Sequence, residues 1–161
     1  MNNVLPVAQQ GEAVLTLISA SVADSEFGSE WLNALAHALE QTMLERNGVG
    51  IAAPQVYVSK RLIIVASRPN PRYPDAPEMD AVVMVNPEIM EMSEQTVSGE
   101  EGCLSVPNER GQVARAEHIR VRYFTLQGEP VIAEFSGFPA RIVQHEVDHL
   151  NGILFVDHLG V

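Results

Sequence analysis

His145 and His149 lie four residues apart in the stretch QHEVDHLNGILF, residues 144–155, with Glu146 directly after the first of them. On a helix that spacing stacks two imidazoles one turn apart on the same face. The pattern is H-E-x-x-H, which offers two nitrogen donors to a divalent metal and a carboxylate to the water beside it. Two histidines four apart also occur as ordinary core or surface residues, so the pattern needs a third donor before it specifies a metal site. The residues after His149 contain no glutamate, and the position where one group of zinc peptidases carries a third histidine is Phe155, which cannot bind a metal. Asp157 and His158 are formally possible donors, but they follow Gly152, where the helix is expected to have ended, and read as polar tail residues.

The third donor is therefore expected upstream, and Cys103 in EEGCLSVP, residues 100–107, is the chain's only cysteine. A single cysteine excludes an internal disulfide, and a thiolate is a strong, soft donor for transition metals. One sulfur and two imidazoles leave a tetrahedral position for water, which is a catalytic arrangement rather than a closed structural one. Glu146, beside the first histidine, is placed to act as a general base toward that water. Asp148 is assigned no chemistry. A structural metal module would instead need four protein ligands, and an ordinary zinc peptidase a carboxylate or histidine as third ligand.

These donors need elements to hold them. From Ser29 to Leu44 the apolar residues Trp31, Leu32, Leu35, Leu39, Met43 and Leu44 recur at helical spacing, and Asn47-Gly48 is placed to end the helix. His37 falls opposite this stripe and reads as solvated. Short β-rich runs follow at 56–58 (VYV), 62–66 (LIIVA), 81–86 (AVVMVN), 119–124 (IRVRYF) and 131–135 (VIAEF), with Gln127-Gly128 suggesting a hairpin between the last two. The prolines of RPNPRYPDAP, residues 68–77, make that segment a surface loop. A second helix is expected to start between Ser136 and Pro139, stop at Asn151-Gly152, and carry both histidines along the border of the apolar strip Ile142, Val143, Val147 and Leu150. A helix packed on such strands is an α+β arrangement.

The 161 residues, 46% hydrophobic, suit one globular domain spanning 1–161. No apolar run is long enough for a membrane helix. The first residues resemble neither a secretory signal nor a transit peptide, so a cytoplasmic location is expected. A net charge of −11 repels phosphate backbones and anionic lipid, which argues against direct binding of nucleic acid or membrane.

A third segment, GVGIAAPQ at 48–55, has glycines for a tight backbone path and, in Gln55, an amide suited to a developing oxyanion. Together GVGIAAPQ, EGCLS and QHEVDHL, in this order and at these separations, resemble the three signature motifs of the peptide deformylases. The resemblance runs from about Ser29 to His158. It implies mixed, mainly antiparallel sheets packed around a central metal-binding helix. It implies Cys103, His145 and His149 as ligands of one divalent metal, natively iron(II), with zinc, nickel or cobalt compatible with the same donors. It implies hydrolysis of the N-terminal formyl group of formylmethionyl peptides, with release of formate, by a metal-activated water for which Glu146 is general base and then acid. The Gln55 side chain and the Leu104 backbone N–H would hold the formyl oxygen. Val49, Gly50, Gly102, Phe138 and Ile142 match positions that contact the substrate backbone or the methionine side chain, and Arg110 matches a substrate-proximal arginine. The formylmethionyl substrate comes from the resemblance alone.

Three departures qualify it. The sequence stops at Val161, where many bacterial members continue into a helix linked to ribosome docking, so ribosome proximity without that docking mode is expected, as in short bacterial or phage-type members. Ala13 stands where a proline is usual, so the path of the N-terminal strand is expected to differ. Arg141 replaces a residue that is often apolar and predicts a more polar pocket mouth.

Overall fold

A computed structural model describes residues 4–159. Helix α1, Glu30–Glu45, starts at Ser29, whose hydroxyl accepts from the Leu32 N–H, and stops where Asn47 turns left-handed at φ 57° and the Gly48 N–H donates back to the Met43 carbonyl. Leu32, Leu35, Leu39 and Met43 are buried along one face, whereas Trp31 and Leu44, expected in that stripe, are exposed at its border. His37 is exposed.

Five antiparallel strands form the larger sheet: β1 (Gly50–Ala52), β2 (Leu62–Val65), β3 (Val82–Met92), β6 (His118–Phe124) and β7 (Pro130–Ser136), in the order β1-β2-β3-β6-β7. The remaining strands, β4 (Thr96–Cys103) and β5 (Val106–Ala116), make a separate hairpin. All of these ladders are antiparallel, within an α+β fold.

Strand β2 explains how the layers are assembled. Successive side chains point to opposite faces. Ile63 and Val65 therefore pack with Ile142, Val143, Val147 and Leu150 of helix α2 (Gly137–Leu150), while Leu62 and Ile64 pack with α1. A strand covered on both faces by helices needs no polar alternation, hence the unbroken LIIV. A third, smaller core of Leu15, Cys103, Val106, Val113, Leu154 and Phe155 lies beneath the hairpin. Helix α2 thus sits between the sheet and the hairpin, with Gln144 bonding both backbone groups of Ala116 on β5.

Several expectations change. VYV is no strand: Val56 closes a 3₁₀ turn over Ala53–Val56 and Tyr57 is left-handed at φ 69°, because Gln55 Oε1 accepts from the Ala52 N–H and folds the chain back. The strand here is GIA, one segment earlier. The 81–86 run continues to Met92 through a register break beside Asn86, whose side chain bonds the backbone of Val22 on both sides. Ala13 opens a 3₁₀ turn, Ala13–Thr16, that buries Leu15, and no strand precedes β1 among the described residues. The β4–β5 hairpin was not foreseen. The expected hairpin at Gln127-Gly128 is present, with Gly128 at φ 91° and its N–H donating to Thr125.

Candidate metal centre

Helix α2 delivers its two imidazoles toward the turn of the β4–β5 hairpin. That turn is two residues long, Leu104-Ser105, between paired Cys103 and Val106. On the β5 side, Pro107 to Glu109 bulge out of register before Arg110 pairs with Gly102, a bulge of the kind that bends a strand locally. Cys103 is thereby buried with its sulfur 3.3 Å from His149 Nε2. One donor atom from each of Cys103, His145 and His149 lies within 4.8 Å of the others. A divalent ion with ordinary metal–sulfur and metal–nitrogen distances holds such donors roughly 3.3–3.7 Å apart, so the spacing suits a shared metal.

The electrostatics agree with that use. Burial alone would push the Cys103 thiol up, but the charge on His149 and hydrogen bonds from both imidazoles outweigh it and hold the thiol well below its ordinary range. His145 Nδ1 bonds Glu101 Oε1 at 2.9 Å, which fixes the tautomer and leaves Nε2 for a metal. Phe155, in the position that a third histidine would occupy, stacks on His145 at 6.2 Å.

Glu146 is 4% exposed, and its Oε1 is buried with no hydrogen-bond partner among the described residues. Burial raises its carboxyl above the usual glutamate value, while the charges of His145 and His149 pull the other way. A buried carboxylate with a spare oxygen beside three metal donors is suited to exchanging a proton with a water held there.

The expected residues converge on one cleft, between β4 and the outer strand β1. Val49, Gly50, Gln55, Gly102, Leu104, Phe138 and Ile142 all line it with Cys103, His145 and Glu146. His149 lies deeper, at 1% exposure. Arg110 sits outside at the rim, where its Nε donates to Glu100 and its Nη2 to the Arg72 carbonyl. Gln55 is oriented by its own loop: with Oε1 held by the Ala52 N–H, its Nε2 points to Ser105 Oγ at 3.0 Å and Cys103 Sγ at 3.7 Å. At Gly50 a Cβ would lie 2.7 Å from both Glu146 Oε2 and Ile142 Cγ2. Gly50→Ala is therefore expected to cost about 1–3 kcal/mol through overpacking, read in urea denaturation, and to lower kcat by displacing Glu146. A variant matching the wild type in both would show that the helix can yield at no cost.

The family model described as "Polypeptide deformylase" matches residues 4–160. Peptide deformylase 2 of Shewanella oneidensis is 49% identical over 156 residues, covering 97% of this chain and 84% of that one. The chain belongs to the polypeptide deformylase family. Among solved structures, a class I type b peptide deformylase from Acinetobacter baumannii with Met-Ala-Ser bound superimposes with a TM-score of 0.96 at 72% identity, covering 98% of this chain and 99% of that one. A probable peptide deformylase from synechococcus phage S-SSM7 is more distant, with a TM-score of 0.84 at 37% identity, covering 96% and 99%. Deformylases are metallo-hydrolases, and their known reaction removes the N-formyl group from nascent peptides. The donor triad and the family together support a metal cofactor. No helix among the described residues is long and apolar enough to cross a membrane.

Several parts of this deformylase were not read from its sequence. Glu101, 2% exposed, bonds Arg115 through both oxygens, Arg141 at 2.7 Å and His145. Burial would raise its carboxyl, but Arg115 and His145 hold it far below the usual range. Arg115 continues to Asp148 at 2.7 Å, and Asp148 to His158 at 2.8 Å, so Asp148 is a link in a buried charge network and His158 its outer end. Arg141 does line the cleft, but its guanidinium turns away to the carbonyls of Val97 at 2.6 Å and Val113 at 2.7 Å. Instead of making the pocket mouth polar, it ties the hairpin to α2. Gly99 makes room for it, since a Cβ there would lie 2.8 Å from the guanidinium carbon. The acidic pair preceding Gly102-Cys103 was the available signal for Glu101, yet nothing local says which acid faces inward.

Proposed function

We propose that this chain deformylates N-formylmethionyl peptides as a single catalytic domain, with Cys103, His145 and His149 as the metal ligands and Glu146 as the proton carrier. The observation that carries the reading is the convergence of a low-pKa thiol and two imidazoles beside a Glu146 oxygen that has no partner among the described residues. A divalent metal in that donor set supplies Lewis acidity, acidifying a water and polarising the formyl carbonyl. Glu146 accepts the proton of the attacking water and returns it to the departing amine, leaving formate and a free N-terminus. Gln55 Nε2 and the Leu104 backbone N–H face the formyl oxygen and stabilise it as it gains charge. Val49, Gly50 and Gly102 offer backbone groups to the peptide, Phe138 and Ile142 take the methionine side chain, and Arg110 stands at the rim. The bound Met-Ala-Ser of the A. baumannii relative supports a peptide of this kind as ligand.

Iron(II) is the native metal in this reading, with zinc, nickel and cobalt able to occupy the same borderline-soft donors. The substrate is made by ribosomes, which puts the enzyme in the cytoplasm and near nascent chains. The charge of −11 opposes direct contact with RNA phosphates.

Anaerobic purification with metal analysis, followed by formate release from formyl-Met-Ala-Ser across reconstituted metals, tests this. Formate production that requires metal and favours iron(II) is expected. Cleavage of unformylated peptides with no formate would overturn the assignment. Within the same assay Gln55→Ala is expected to lower kcat by about a hundredfold or more with KM little changed, the usual effect of losing one oxyanion donor. A drop under fivefold would remove Gln55 from the oxyanion site.

A further inference from the structure

The proline-rich loop 68–77 is not an idle connector. Asn70 Oδ1 accepts from the backbone N–H groups of Arg72 at 2.9 Å and Tyr73 at 3.1 Å, and Asn70 Nδ2 donates to the Arg68 carbonyl. With Pro71 and Pro74 on either side, Arg72-Tyr73 is presented on a stiff turn. The Tyr73 ring leans over the cleft, 5.0 Å from Phe138 and 4.7 Å beneath the Arg110 guanidinium.

Its hydroxyl does something more specific. The Gly102 N–H donates to it at 2.9 Å, and it donates to the Gly102 carbonyl at 3.4 Å. Both backbone groups of Gly102 therefore point away from β5, toward the open edge of β4. A residue exposing both groups on one edge is half of an antiparallel hydrogen-bonded pair. An extended peptide laid along that edge would exchange both bonds with it. In the free protein one phenol oxygen makes both.

We infer that Tyr73 is a placeholder latch, whose hydroxyl occupies the Gly102 strand-edge position that the peptide substrate must take, so that loop 68–77 has to release it before a formyl peptide can pair with β4. The inference rests on the deformylase reading above. Satisfying a buried backbone pair in the absence of peptide avoids the cost of leaving it unbonded, and it makes peptide binding an exchange of bonds rather than a gain. The latch weakens substrate binding without touching the chemistry.

Tyr73→Phe keeps the ring between Arg110 and Phe138 and deletes only the oxygen. With metal-loaded enzyme and formyl-Met-Ala-Ser, KM is expected to fall about two- to tenfold, the range of one neutral hydrogen bond, with kcat within about twofold. In the peptide-free variant, hydrogen exchange at the Gly102 amide is expected to accelerate by a similar factor, a readout independent of turnover. An unchanged or higher KM overturns the latch, since the hydroxyl would then be idle or would hold the bound peptide. Unaltered exchange at Gly102 overturns it as well. Wild-type enzyme releasing no formate under any metal would instead remove the underlying deformylase reading, so the two failures are distinguishable.

Discussion

Glu146→Gln is expected to lower kcat for formate release by about 10²- to 10⁴-fold, the range for losing a positioned general base, while metal content stays at the wild-type level. The substitution preserves shape where shape is tight: a single carbon added at Gly50 would lie 2.7 Å from Glu146 Oε2, and a change in volume would confuse steric and chemical effects. It also removes a buried carboxylate whose Oε1 has no partner among the described residues. Such a group costs stability in the native state, so the metal-free variant is expected to unfold at the same urea concentration as the wild type or a higher one. Single-turnover kinetics with metal analysis, and urea denaturation of the metal-free proteins, check the two halves. A kcat within tenfold of wild type would remove Glu146 from the proton transfer.

Glu101→Ala is expected to cost about 3–5 kcal/mol of stability, because it leaves the guanidinium groups of Arg115 and Arg141 buried without their shared carboxylate. The two arginines are 6% and 8% exposed, so water cannot replace the lost partner. For a chain of this size the loss corresponds to a melting temperature lower by roughly 6–20 °C. The same substitution frees His145 Nδ1, and metal affinity is expected to fall about 10- to 100-fold as the ring loses its fixed orientation. Thermal denaturation and competition with a chelator measure the two effects separately. A loss under about 1 kcal/mol would mean that the remaining contacts, Arg141 to the carbonyls, Arg115 to Asp148 and Gln144 to Ala116, hold the hairpin on α2 without Glu101.

The two substitutions act through different physics at one centre. Glu146 has no bond on one oxygen among the described residues and is therefore available for proton exchange. Glu101 is saturated with donors and therefore rigid. The H-E-x-x-H pattern marked Glu146 for the proton, but nothing in the chain order marks Glu101 as the carboxylate that fixes His145 Nδ1.

Local pattern determined a good deal of this protein. The helical spacing of His145, Glu146 and His149 and the helix boundaries at Ser136–Pro139 and Asn151-Gly152 are short-range features, and a period of 3.6 residues is legible in any window that spans them. The buried run LIIV and the alternating strands β6 and β7 were legible for the same reason. Cys103 could be named as a donor because it is the sole cysteine and the only downstream candidates, Asp157 and His158, lie past the helix end. The β4–β5 hairpin was not legible. Its strands mix Gly, Glu and Arg with a few apolar residues and are exposed over much of their length, so no apolar alternation runs along them. Contacts from α2 hold them: Arg141 to the Val97 and Val113 carbonyls, Asp148 to Arg115 and Gln144 to Ala116. Which acid of Glu100-Glu101 turns inward, where the Arg141 charge is spent, and that Tyr73 reaches Gly102 across 29 positions were decided by tertiary structure alone. These are contacts between side chains and distant backbone groups, satisfied only once the helix, the hairpin and the loop have packed together, and a one-dimensional pattern records none of those distances.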